Sequence, residues 1–134
     1  MKFKLCDAKS LDIVKTFECG QCFRWNANDK GVYTGVVGRY LAEVETVDNE
    51  VYITSDAPAE MWADYFDLAT DYAAVSADFT GEYLHECIDY GMGIRILRQD
   101  SWEALCSFII SQCNNITRIK GIVERLCEQF GDKC

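Results

Sequence analysis

Apolar positions in the first 55 residues come in short runs separated by polar, turn-forming residues. The runs at 3–5, 13–17, 22–25, 32–37, 40–47 and 51–54 have the length and the β-branched or aromatic content of strands. Asn28-Asp29-Lys30-Gly31 and Asp48-Asn49 supply turn chemistry between them. An antiparallel meander is the predicted arrangement.

Further along the chain the spacing becomes helical. Asp56-Ala57-Pro58 reads as a helix start, and Met61, Trp62, Tyr65 and Phe66 follow at helical intervals. Asp71 can cap a second helix carrying Tyr72, Val75 and Phe79, and a third runs from Glu82 through Leu84, Cys87 and Ile88. Gly91-Met92-Gly93 breaks the pattern. Asp100 then stands as an N-cap with Glu103 at capping-box distance, ahead of an apolar stripe of Trp102, Leu105, Cys106, Ile109, Ile110 and Cys113. Asn114-Asn115 can cap a last helix whose Ile116, Ile119, Val123, Leu126, Cys127 and Phe130 repeat the period until Gly131. Strands followed by helices predict an α+β fold, divided at the glycines into residues 1–92 and 93–134. Two successive amphipathic helices need more apolar partners than each other, so the second part reads as the start of an incomplete helical domain.

Charge refines this picture. The net charge is -9, against simple electrostatic attraction to nucleic acid. Its distribution is uneven: thirteen acidic residues and no Lys or Arg lie between Arg39 and Arg95, whereas 91–134 carries six basic against five acidic residues. Any DNA-facing surface must avoid the acidic middle. No apolar run reaches membrane-spanning length, and no apolar signal core follows the first residues, so an intracellular location is expected: cytoplasm or nucleoid in a bacterium, nucleus in a eukaryote. Of the eight cysteines, several fall at helical core spacing and read as reduced thiols.

Three local features carry candidate chemistry. Cys19-Gly20-Gln21-Cys22 has the spacing of a redox dithiol or half a zinc site, but no second cysteine pair completes a zinc set and the only histidine, His85, lies in an acidic helix. Two thiols flanking a tight turn is the blander alternative. Gly20, ahead of a strand, permits backbone geometry or close ligand approach that a side chain would block. Ser111-Gln112-Cys113-Asn114-Asn115, with Arg118 one turn later, is a polar cluster between two apolar helices. It reads either as a plain helix connection or as amide and guanidinium groups facing DNA.

Taken in order, these segments resemble one family. Gly20-Gln21-Cys22-Phe23-Arg24-Trp25 is similar to the Gly-Gln-Ser-Phe-Arg-Trp segment of 8-oxoguanine DNA glycosylases. Ile96-Leu97-Arg98-Gln99-Asp100-Ser101-Trp102-Glu103, Ser107-Phe108-Ile109 and the run from Asn114 to Cys127 resemble that family's stretch leading into its helical domain. The resemblance implies a TATA-binding-protein-like antiparallel β domain with packed helices, followed by the first helices of a helix-hairpin-helix glycosylase domain. It also implies a base-excision-repair enzyme that flips the damaged nucleotide out of the duplex, attacks the sugar through a lysine amine and cleaves the strand, without a small-molecule cofactor.

The resemblance assigns lesion reading to the backbone carbonyl of Gly20. The lesion carries a hydrogen on the purine N7 where guanine has an acceptor, and a carbonyl can only accept. Arg118, Cys113, Asn114 and Asn115 match the contacts to DNA and to the cytosine opposite the lesion. Cys113 departs from the family's run of three asparagines, with a smaller and poorer hydrogen-bonding group. The family's nucleophilic lysine and catalytic aspartate lie downstream of the segment matching 114–131. No catalytic residue is therefore assigned here, and Lys120 and Lys133 read as solvated surface lysines. The expected partner of the complete enzyme is duplex DNA with 8-oxoguanine opposite cytosine; no metal, cofactor or membrane is expected. Two other functions compete: an acidic interaction module that kept the fold and lost the enzyme, and a thiol redox or zinc protein built on Cys19 and Cys22.

Overall fold

A computed structural model describes residues 1–132, except the side chain of Glu82; Lys133 and Cys134 lie outside the described residues. Five strands form one antiparallel sheet: β1 (Lys2–Asp7), β2 (Trp25–Ala27), β3 (Tyr33–Val37), β4 (Tyr40–Val47) and β5 (Glu50–Ser55), in the spatial order β1-β5-β4-β3-β2. The meander expected from the turns is β2 to β5. Asp48 and Asn49, both at positive φ, make the tight β4–β5 turn that their short polar side chains tolerate. β1 closes the far edge by pairing with β5, through a bulge between Lys4 and Cys6.

One face of the sheet is dry. Ala42 and Val44 of β4 lie beside Ser55 and Ile53 of β5, all buried, while Glu43 and Glu45 point the other way with the strand period of two. Against this face packs an aromatic cluster of Phe17, Trp25, Tyr33, Trp62, Tyr65 and Phe66. Phe17 stacks on Trp25 at 4.4 Å between centroids, and the Trp25 indole N–H donates to the Tyr65 hydroxyl at 2.9 Å. Gly35, the cross-strand partner of Trp25, lies so close under the indole that a Cβ there would fall 2.3 Å from it. A glycine in mid-strand is thus what lets the tryptophan lie flat on the sheet.

Two strand expectations are corrected. Residues 13–17 are not a strand but part of helix α1 (Ile13–Glu18). Their β-branched content suggested a strand, but Asp12 accepts from the Lys15 N–H as an N-cap, and Ile13, Thr16 and Phe17 are buried at i, i+3 and i+4. Of residues 22–25 only Trp25 is in a strand; Cys22 and Phe23 are buried in an irregular loop in which the Gln99 amide binds Gln21 O.

The other helices form where the spacing placed them: α2 (Ala59–Tyr65), α3 (Tyr72–Ala77), α4 (Glu82–Gly91), α5 (Ser101–Ser111) and α6 (Ile116–Phe130). Asp71, Asp100 and Asn115 cap α3, α5 and α6 through side-chain oxygens. The capping box at α5 is half made. Asp100 accepts from the Trp102 and Glu103 N–H groups, but the Glu103 carboxylate turns away to Arg24 at 3.2 Å. The apolar stripe of α5 is largely uncovered, with Trp102, Leu105, Phe108 and Ile109 exposed. α6 docks through a small second cluster of Phe23, Ile119 and Val123, with Ile110 beside it.

Candidate nucleic-acid interface

The loop between α1 and β2 carries Gly20 at φ +88°, a left-handed conformation in which an L side chain is strained. The glycine is half-buried and faces the start of α6: a Cβ there would come 3.8 Å from Ile116 Cδ1. The structure therefore brings the candidate lesion-reading position next to the candidate DNA-contacting turn. Among the described residues no donor bonds to the Gly20 carbonyl oxygen.

Its neighbour Gln21 is heavily engaged. The Gln21 amide donates to Thr16 O at 3.0 Å and Arg95 O at 2.8 Å and accepts from Leu97 N at 3.0 Å, while Gln99 donates to Gln21 O at 2.7 Å. These bonds tie the loop to the extended segment 93–99, which is itself anchored in the sheet domain. Leu97 sits in the aromatic core. The buried Arg95 guanidinium donates to Ser10 O, Asp67 O and Thr70 O and stacks over Tyr72 at 4.5 Å. Arg98 reaches the Asp67 carboxylate at 2.7 Å and holds that acid below the ordinary carboxylate range, helped by hydroxyls of Thr70 and Tyr72. Sequence reasoning missed Gln21 and Arg95. Gln21 lies in a segment that carried the resemblance and Arg95 directly precedes another, but a buried arginine satisfied by three carbonyls has no signature in one sequence.

In the α5–α6 turn, Cys113 adopts φ +53° and is exposed. Asn114 spends both ends of its amide on the turn, donating to Ile110 O and accepting from Asn115 N. Asn115 Oδ1 accepts from Arg118 N as the N-cap. These asparagines thus shape the turn, while the Cys113 thiol and the Arg118 side chain extend from it into solvent.

The surroundings of one lysine and of the Cys19–Cys22 pair bear on two further expectations. Lys120 is not a solvated surface lysine. Its amine donates to Trp25 O at 3.0 Å and pairs with Glu18 at 3.3 Å, clamping α6 to β2 and α1. In the Cys19–Cys22 pair, Cys22 is buried, bonds to Phe17 O, and burial pushes its thiol up to about 12, so Cys22 is a poor nucleophile at neutral pH. Among the described residues no three His, Cys, Asp or Glu side chains gather to hold a metal, and no helix is long and apolar enough to cross a membrane.

The family model for the 8-oxoguanine DNA glycosylase N-terminal domain matches residues 4–105. The chain belongs to that family. An N-glycosylase/DNA lyase from Arabidopsis thaliana is 30% identical over 124 residues, covering 85% of this chain and 34% of its own length. The Clostridium acetobutylicum 8-oxoguanine glycosylase/lyase superposes in its apo form with a TM-score of 0.87 at 35% identity, over 100% of this chain and 50% of that one. The same enzyme bound to duplex DNA containing cytosine opposite 8-oxoguanine gives the same values. This α+β family member thus spans about half the length of the solved relative and a third of the plant one.

Proposed function

We propose that this chain is the lesion-reading part of a base-excision-repair DNA glycosylase and abasic-site lyase that removes 8-oxoguanine opposite cytosine from duplex DNA. Residues 1–92 form its sheet domain and 93–134 begin its helical glycosylase domain. The observation that carries the reading is the Gly20 carbonyl: unengaged, set in a fixed loop, and adjacent to the turn bearing Cys113 and Arg118. With the lesion flipped from the duplex, its N7–H donates to that oxygen. Guanine offers only a lone pair there, so the carbonyl stays unsatisfied, at a cost of about 1–3 kcal/mol. Arg118, a donor-only group, serves the acceptor edge of the cytosine left behind, with Cys113 at the space the lesion vacates. Asn114 and Asn115 support those contacts by holding the turn.

No lysine of the described residues is assigned as nucleophile. The Lys120 amine is already held by Glu18 and Trp25 O, half of the solved relative is unmatched by this chain, and the resemblance places the nucleophile and catalytic aspartate downstream of the segment matching 114–131. Borohydride trapping on an 8-oxoguanine:cytosine duplex tests both parts. The complete protein is expected to form a covalent adduct and residues 1–134 none. An adduct with residues 1–134 alone removes the assignment of the nucleophile elsewhere, and a complete protein that leaves the lesion in place removes the function.

A further inference from the structure

We infer that Gln21 is a positioning residue for lesion discrimination, aiming the Gly20 carbonyl by locking the peptide that the two residues share. The inference rests on the Gly20 reading above and extends it to segment 93–99. Gly20 does not hold itself: it is at φ +88° and neither its N–H nor its carbonyl is bonded among the described residues. The direction of its carbonyl is therefore set by its neighbours, because the peptide plane joining Gly20 to Gln21 is rigid.

Gln21 anchors the Cα end of that plane, because its side-chain amide is held by Thr16 O, Arg95 O and Leu97 N. The chemistry of its partners also fixes the orientation of its amide. Thr16 O and Arg95 O can only accept, so they face the NH₂ group, and the Leu97 N–H can only donate, so it faces the oxygen. A flipped amide would lose all three bonds. Gln99 holds the Gln21 carbonyl as well. The partners do not drift, because Arg95 is anchored on three carbonyls of the sheet domain and Leu97 is in the core. Segment 93–99 thus sets the aim of the Gly20 carbonyl as well as linking the sheet to α5.

The test is the ratio of two activities of the complete protein: excision of 8-oxoguanine opposite cytosine, and strand cleavage at a preformed abasic site, which presents no base to read. Gln21→Ala is expected to lower excision on the order of tenfold, the scale of one buried hydrogen bond, with abasic cleavage within about twofold of wild type. Gln21→Glu keeps the size and the acceptor for Leu97 but cannot donate to the two carbonyls, and should lower the ratio in the same direction. An unchanged ratio in both variants, or equal loss of both activities, overturns the positioning role. Gly20→Ala separates this from the reading beneath it. If that variant keeps the wild-type ratio, the Gly20 assignment itself fails. If it lowers the ratio while the Gln21 variants do not, only the role of Gln21 fails.

Discussion

The sheet domain and the α5–α6 pair use similar residues in opposite ways. Trp25 and Trp62 are 1% and 0% exposed within a continuous aromatic core, whereas Trp102 on α5 and Phe130 on α6 are 72% and 80% exposed. The helix pair is held to the sheet by a few discrete anchors: the Phe23–Ile119–Val123 cluster, the Arg24–Glu103 pair and the Lys120 clamp. Stability is therefore concentrated in residues 1–68 and the segment 93–99, and the candidate DNA-facing groups sit on the seam between the two regions. Such an arrangement fixes the Gly20 side of the seam and leaves the α5–α6 side open to further packing.

Substituting matched tryptophans breaks or sharpens this contrast most strongly. Trp25→Ala removes the stacking on Phe17, the bond to Tyr65 and the cover over Gly35, and should cost about 3–5 kcal/mol. Trp102→Ala removes a side chain already in water and should stay within about 0.5 kcal/mol. Urea unfolding of residues 1–134 measures both. Similar costs for the two would mean that the helix pair is as integral to the fold as the sheet.

The anchoring of segment 93–99 is the next largest effect. Arg95→Met strands three backbone carbonyls and should cost about 3 kcal/mol. The adjoining Asp67–Arg98 pair adds a pH signature. The Asp67 carboxyl is held below its ordinary value of 3.8 in the folded chain, mainly by its bond from Arg98. Its contribution is therefore fully present above about pH 4 and is lost as pH falls through the depressed folded value. The stability gap between wild type and Asp67→Asn should be constant near neutrality and narrow on acidification below pH 4. A gap that does not depend on pH would detach this ion pair from the fold's stability.

What the sequence disclosed follows the same division. Caps, turns and periodic stripes are local signals, and so α2 to α6 and β3 to β5 were legible. The stretch around Asp12 was misread because Ile13, Val14 and Thr16 favour strands, and only the Asp12 cap together with tertiary burial of Ile13 and Phe17 makes it a helix. The loop 19–24 looked like strand because Cys22, Phe23 and Trp25 are apolar, yet it is held by Gln21, whose side chain and carbonyl bond to residues more than seventy positions away. The candidate site was legible only through resemblance. Its physical basis, an open carbonyl in a loop pinned by Gln21, requires Arg95, Leu97 and Gln99 to arrive from the far end of the domain, and no spacing rule carries that information.

Cys113 offers the smallest effect and separates backbone strain from burial. It is exposed in the α5–α6 turn at φ +53°, where a cysteine is strained and an asparagine is tolerated. Cys113→Asn should raise stability by roughly 0.5–1 kcal/mol although it buries no additional surface. The same change gives the turn an amide, able to donate and accept, where a thiol does both weakly, so binding of the complete protein to an 8-oxoguanine:cytosine duplex should tighten. A higher urea midpoint with unchanged DNA affinity would keep the turn geometry and remove Cys113 from the interface. An unchanged midpoint would mean that φ +53° costs the cysteine no more than it costs an asparagine.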